Sequence, residues 1–382
     1  MSEAASKQPD TSFMTQTGPA LRQSAYTLSK ADSDQINQCL GFLFDKLKNN
    51  VQAILDANIK DIENAKANKQ TDAFIDRLTL NEERIQAIAQ SVEDIAKLED
   101  PCGEILEDWT RPNGLHIQKV SVPIGVLGII YESRPNVTID AAALCLKSHN
   151  ACLLRGGSDS LNTALVLHSL IEDSLSESNL PSAAVSMIKS GDRSLLGNML
   201  KAYDYIDVIV PRGGRGLIER VMNEAAMPVF AHLDGNCHIF VDQSVNADMA
   251  RDVIVNAKLR RTGICGAAES LLFHNDLNQD TAKDIITALL DQDCEVIGDE
   301  KTQRLDSRVQ AAHANDWSTE YLDAKISCKY VSGIDEAISH INTYGSNHTD
   351  AIITEGKDAA AQFQKEVDSA IILHNASTQF AD

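Results

Sequence analysis

The chain has 382 residues, more than a single hydrophobic core ordinarily serves, and its 43% apolar and 23% charged composition is that of a globular protein. With 55 acidic against 34 basic residues the formal net charge is −21, which disfavours nucleic acid and anionic membranes as partners and obliges any anionic substrate to find local cations. The longest notable apolar run, VPIGVLGIIY, is too short to cross a bilayer. Eight cysteines with no C-x-x-C pair and no Cys/His spacing read as reduced thiols of a cytoplasmic protein, with no metal site.

Residues 1–20 are polar, lack the basic start and apolar run of a signal peptide, and read as a disordered tail. From 29 to 98 the pattern is helical: Ile36, Leu40, Leu43 and Leu47 fall on one face, and three helices in series fit the stretch. Thr79 and Glu82 have capping-box spacing ahead of a helix over 84–98. In residues 104–122, EILEDWTRPNGLHIQKVSV, an Asn-Gly pair between strand-like segments predicts a hairpin, placed to protrude and pair with another subunit.

From residue 120 onward short apolar strands alternate with helical stretches. The first set falls at 120–131, 151–154, 184–188, 206–210 and 229–233. A second falls at 238–241, 270–273, 295–297, 326–331, 351–354 and 370–373. This alternation predicts βαβ units and two α/β domains with parallel sheets, joined near Gly235.

Ligands of open parallel sheets gather at the loops beyond the carboxyl ends of the strands. Two such loops are Gly-rich: Leu154-Arg155-Gly156-Gly157-Ser158 and Pro211-Arg212-Gly213-Gly214-Arg215-Gly216, each leading into a helix. Glycine there lets the backbone approach a phosphate at a helix N-terminus, and the arginines add charge-assisted contacts. The alternative is that strand-to-helix turns need Gly for their own geometry. Neither loop matches G-x-G-x-x-G.

In NAKLRRTGICGA, Cys265 lies between small residues and follows Lys258, Arg260 and Arg261, surroundings that depress a thiol pKa. Its surroundings fit either a nucleophile or, as free cysteines more often are, an inert buried thiol. Cys39, Cys145, Cys152, Cys294 and Cys328 sit in apolar patterns and read as core. Cys102 lies in a Pro-Cys-Gly turn and shows no role. His238, at the expected domain junction in Asp234-Gly235-Asn236-Cys237-His238, fits either a substrate contact or a hydrogen-bonded structural histidine.

Taken together, the stretches VPIGVLGIIYESRPNVTIDAAALCLKSHNACLLRGGS, VIVPRGGRGLIERV, HLDGNCHIFVD, NAKLRRTGICGAAESLLFH, STEYLD, YGSNHTDAIITE and VDSAIILHNAST resemble the aldehyde dehydrogenase superfamily. Within it they resemble the family of gamma-glutamyl phosphate reductases. The resemblance implies an aldehyde dehydrogenase-like fold. An NADP(H)-binding domain with N-terminal helices would cover 21–103 and 123–234, an oligomerisation hairpin 104–122, and a catalytic domain 235–370. Residues 371–382 would begin a truncated C-terminal segment, because the family continues into a Gly-rich stretch and a final strand.

The same resemblance implies a cofactor site of Arg155, Gly156, Gly157, Ser158, Arg212, Gly213, Gly214 and Glu320, with Arg155 at the adenosine ribose and Glu320 at the nicotinamide ribose. Cys265 takes the nucleophile position and Asn136 that of an oxyanion-hole asparagine. Arg134, His238, Arg260, Arg261 and His348 are candidates for the substrate phosphate or amino-acid head. The implied reaction is NADPH-dependent reduction of L-glutamyl 5-phosphate in proline biosynthesis, by a homo-oligomer functionally associated with glutamate 5-kinase. Where hydrolytic members carry a water-activating glutamate in Glu-Leu-Gly-Gly, this chain reads His232-Leu233-Asp234-Gly235, which favours a phosphorylating reductase. The competing readings are a hydrolytic NAD(P)-dependent semialdehyde dehydrogenase and a catalytically dead nucleotide-binding homologue.

Overall fold

The computed structural model describes residues 12–380 apart from Arg193, His232 and Leu233; the side chains of Ser12 and Ala73 are also outside the description. The chain divides into two compact units, Met1–Ala231 and His232–Asp382.

The first unit opens with five helices: α1 (Ser12–Leu28), α2 (Ser33–Asn49), α3 (Val51–Ala67), α4 (Asp72–Leu78) and α5 (Glu82–Lys97). Residues 12–20 are therefore helical, a correction to the tail expected over 1–20; residues 1–11 lie outside the described residues. Met14 and Leu21 are buried, and it is this apolar face that holds the polar-looking segment in a helix.

Four helices, not three, fill 29–98, because α4 is only seven residues long and too short to show a period. The capping expectation also shifts. Asn81, not Thr79, caps α5 by accepting the Arg84 N–H at 2.7 Å, while the Thr79 hydroxyl closes α4 on the Ile75 carbonyl. Buried Asp61 of α3 accepts the backbone N–H groups of Asn162 (3.2 Å) and Thr163 (2.8 Å), satisfying orphan donors where the next long helix begins.

The expected hairpin is present as β1 (Ile105–Thr110) antiparallel to β2 (His116–Val120), with Gly114 at φ 86° in the turn. Nearly every residue of it is exposed, including Ile105, Leu106, Trp109 and Val120.

The α/β part of this unit follows as β3 (Val126–Tyr131), α6 (Val137–Lys147), β4 (Ala151–Arg155), α7 (Leu161–Glu177), β5 (Val185–Met187), α8 (Ser194–Leu200), β6 (Val208–Arg212) and α9 (Arg215–Glu224). Its sheet runs β5-β4-β3-β6, all parallel. The strand expected over 229–233 reduces to a parallel bridge from Val229 to Ile209; His232 and Leu233 lie outside the described residues.

The second unit contains β7 (Cys237–Val241), α10 (Ala247–Leu259), β8 (Ala268–His274), α11 (Gln279–Leu290), β9 (Glu295–Gly298), α12 (Glu300–Gln303), β10 (Gln310–Ala311), β11 (Lys325–Val331), α13 (Ile334–Tyr344), β12 (Thr349–Ile353), α14 (Lys357–Glu366) and β13 (Ile371–His374). Its parallel sheet has the order β10-β9-β11-β8-β7-β12-β13.

Successive residues of one strand feed two different cores. Ile239, Val241, Leu271, Phe273, Ala351 and Ile353 pack on one side, Phe240, Leu272 and Ile352 on the other. Both faces are covered, and that is why these strands read as unbroken apolar runs.

Candidate active site

In the first unit β3 is flanked by β4 and β6, with Ile130 opposite Arg155 and Tyr131 opposite Arg212. The two Gly-rich turns thus lie on either side of one strand at the carboxyl edge of one sheet, where such sheets bind ligands. Arg155 is buried at the end of β4, Gly156 and Gly157 are buried behind it, and Ser158 is exposed. Arg212, Gly213 and Gly214 are exposed at the start of the ten-residue α9.

The Glu132 carboxylate, at the end of β3, accepts the Gly214 N–H at 3.0 Å. An anionic oxygen on that N–H is what a nucleotide phosphate would present, so the turn fits the phosphates of a nicotinamide cofactor.

The next loop on this edge carries Arg134 and Asn136. The Asn136 amide donates to Asp140 Oδ2 at 2.9 Å, so one N–H of the expected oxyanion donor is already engaged. Burial holds the Asp140 carboxyl above the ordinary carboxylate range.

The second unit places its chemistry at the opposite kind of edge. Cys265 lies, half-buried, on the turn between α10 and β8, at the amino end of β8. The neighbouring strands in the order β11-β8-β7-β12 bring three more segments to that edge: the Glu320 loop before β11, Gly235 before β7, and His348 before β12. Sheet order, which sequence does not display, assembles this row.

The contacts within the row are close. Glu320 Oε1 accepts the Gly235 N–H at 2.8 Å. A Cβ built on Gly235 would stand 2.6 Å from the Cys265 Cα and overlap its carbonyl, so only glycine fits there. The Cys237 thiol donates to the Cys265 carbonyl at 3.1 Å, and its Sγ lies 3.7 Å from His348 Nδ1. Burial pushes the Cys237 thiol well up, which keeps it a protonated donor behind the Cys265 turn.

Three expectations need correction. His238 is fully buried, its Nδ1 donates to the Asn236 carbonyl at 3.0 Å, and its backbone N–H is held by Asp350; it is a structural histidine, not a substrate contact. Arg260 is bound to the C-terminal segment through Gln379 Oε1 and the Gln379 carbonyl, both at 3.2 Å. The positive charge expected around Cys265 is also partly committed elsewhere, because buried Lys258 is paired with buried Glu269 at 2.6 Å. Arg261 remains exposed.

The Lys258–Glu269 pair escaped the sequence reading, although Lys258 lies on the apolar stripe of Ala250, Ile254 and Ala257, which was the available signal. Cys237, behind Cys265, and Glu132 and Asp140, at the edge of the first unit's sheet, were missed because only the folded chain brings each to its place. No disulfide joins any of the eight cysteines. No group of metal-binding side chains occurs among the described residues.

A family model described as the aldehyde dehydrogenase family matches residues 45–306. The gamma-glutamyl phosphate reductase of Parvibaculum lavamentivorans is 48% identical over 379 residues, covering 99% of this chain and 89% of the relative. That of Brucella suis is 49% identical over 370 residues, covering 97% and 88%.

The crystal structure of the Thermotoga maritima gamma-glutamyl phosphate reductase superposes with a TM-score of 0.93 at 41% identity, covering 97% of this chain and 89% of that one. An acetylating aldehyde dehydrogenase from Geobacillus thermoglucosidasius, 15% identical with a TM-score of 0.65, shares the fold. The chain therefore belongs to the aldehyde dehydrogenase family, whose members are nicotinamide-dependent oxidoreductases. Within that family it belongs to the gamma-glutamyl phosphate reductases.

Proposed function

We propose that this protein uses NADPH to reduce L-glutamyl 5-phosphate to L-glutamate 5-semialdehyde and phosphate, a step of L-proline biosynthesis in the cytoplasm. The reading rests above all on Cys265: a half-buried thiol on a turn whose backbone is gripped by Gly235 and Cys237, with Glu320 bound to the same glycine. Such a turn holds a nucleophile in one orientation.

The Cys265 thiolate attacks the γ-acyl carbon, the C–O bond to phosphate breaks, and a thioester forms. The Cys265 N–H stabilises the oxyanion, and Asn136 keeps one N–H that Asp140 does not hold for the oxyanion role that the family resemblance gives it. Reduction of the thioester is the hydride chemistry that a nicotinamide would supply when bound. Collapse of the resulting thiohemiacetal releases the semialdehyde and restores the thiolate. Arg155, Gly156, Gly157, Ser158, Arg212, Gly213 and Gly214 would hold the nucleotide phosphates and adenosine ribose, and Glu320 would take the nicotinamide ribose.

The hydrolytic alternative needs a carboxylate that activates water against the thioester. The sequence offers His232 at that position, which lies outside the described residues.

The test is reverse turnover: NADP reduction by L-glutamate 5-semialdehyde with and without inorganic phosphate. The proposal requires a phosphate-dependent rate. A phosphate-independent rate yielding glutamate would establish the hydrolytic activity instead.

The hairpin enters the same proposal as the contact between copies of the chain. An isolated two-stranded hairpin is marginal in water, and this one exposes Ile105, Leu106, Trp109 and Val120. Light scattering on a Leu106→Asp/Trp109→Asp variant should show a smaller assembly than the unmodified chain, and an unchanged mass would refute that role.

A further inference from the structure

At the carboxyl edge of the first unit's sheet the structure contains a cavity of about 450 Å³, lined by none of the residues proposed above for the nucleotide. Its walls come from α4, α5 and the turn between them, the loop between β3 and α6, and the first turn of α6. Three cations, Arg77, Arg84 and Arg134, and two carboxylates, Asp76 and Asp140, line it together with Asn136 and Ser91. The volume is within the range of small-molecule sites and leaves ample room for an amino acid.

The lining residues fall into two groups. Arg84 is a brace: its guanidinium donates to the Asp76 and Thr79 carbonyls at 2.6 and 2.7 Å and pairs with Asp76 at 2.8 Å, which fixes the α4–α5 corner and occupies Asp76. Arg77, by contrast, makes no hydrogen bond or ion pair among the described residues, although it lines the cavity. Asp140 is oriented from two sides, by the Asn136 amide at 2.9 Å and the Ser91 hydroxyl at 3.4 Å. A cavity with an unspent guanidinium and a positioned carboxylate is complementary to a ligand carrying both charges. Neither a simple aldehyde nor a dicarboxylate would satisfy both.

We propose that this cavity is the subsite for the α-amino-acid head of the substrate, with Arg77 and Arg134 taking the α-carboxylate and Asp140 the α-ammonium group. The inference rests on the function proposed above and deepens it: it assigns the zwitterionic head to unit-one residues. The two arginines also supply the local cations that a chain of net charge −21 needs in order to bind an anionic substrate.

The test is equilibrium binding to the full chain, by calorimetry or ligand-observed NMR, of L-glutamate, glutarate and 4-aminobutyrate at millimolar concentrations. L-glutamate should bind, with each analogue at least about tenfold weaker, since each lacks one of the two charges. Arg77→Met should weaken L-glutamate about tenfold and erase the discrimination against 4-aminobutyrate, with Arg77→Lys recovering part of it. Asp140→Asn should erase the discrimination against glutarate.

Equal binding of the three ligands, no binding of L-glutamate, or variants that bind as the unmodified chain does would each overturn the assignment. Turnover does not enter this readout. A chain that binds glutamate as described but shows no phosphate-dependent turnover refutes the proposed reaction alone, whereas the reverse pattern refutes the subsite alone.

Discussion

Gly235 and Cys265 are interlocked through their backbones: a Cβ on Gly235 would stand 2.6 Å from the Cys265 Cα, and the Gly235 N–H is itself tied to Glu320 at 2.8 Å. One glycine thus fixes the turn that carries Cys265 and the loop that carries Glu320. Gly235→Ala should push that turn aside, lowering kcat by about a hundredfold while destabilising the fold by about 1–3 kcal/mol. Steady-state kinetics beside chemical denaturation would check this. A variant with ordinary kcat would show that the interlock does not position the thiol.

The fully buried Lys258–Glu269 pair, 2.6 Å apart, joins the helix before the Cys265 turn to the strand after it. Burial pushes the Glu269 carboxyl up to about 7 against the opposing pull of the Lys258 ammonium. Removing one partner leaves the other charge buried and alone, so Lys258→Met should cost about 3–5 kcal/mol. Lys258→Met/Glu269→Leu should recover most of that loss. A double-mutant cycle in denaturant measures it, and additive losses would contradict a coupled pair.

Acid should destabilise the second unit through His340. Its ring is buried against His238, Trp317 and Tyr344. Desolvation first, then His238 and Lys329, push its pKa down to about 3, with Glu336 opposing. Above about pH 6.5 the ring is neutral in both folded and unfolded chains, and its contribution to stability is fully present. As pH falls from 6.5 towards 3 the unfolded chain takes up a proton that the folded ring refuses. Stability should then fall by about 1.4 kcal/mol per pH unit from this group. His340→Phe should flatten that part of the pH–stability curve; an unchanged slope would place the acid sensitivity elsewhere.

Glu132 holds the Gly214 N–H, which on the proposed function would go to a cofactor phosphate. It is exposed, so the competing charge is largely screened and its removal brings a modest gain. Glu132→Gln should lower the KM for NADPH about two- to fivefold at low salt, the gain shrinking as salt is added. A raised KM would make Glu132 a cofactor contact instead of a competitor.

What the sequence disclosed and what it hid follow from the same physics. The strands of the second unit were legible because both faces are buried and runs such as Cys237–Val241 are unbroken. β10, two exposed residues with no pattern, was invisible, and so was α4. The Asn113-Gly114 turn marked the hairpin because positive φ demands such residues. Cys265 was legible from its small neighbours, but the assumed cationic setting was not: Lys258 turns inward to Glu269 and Arg260 to Gln379. His238 showed that a histidine entering a strand can be entirely structural. Contacts set by strand order, above all Cys237 behind Cys265 and Glu320 on Gly235, belong to the fold and leave no trace in local sequence.

The most direct test of the account is the site of acylation. The chain, mixed with L-glutamate 5-semialdehyde and NADP in the absence of phosphate, quenched in acid and mapped by mass spectrometry, should carry a glutamyl adduct on Cys265, lost in Cys265→Ser. An adduct on another cysteine, or a Cys265→Ser variant that still turns over with phosphate, would contradict a mechanism built on that sulfur.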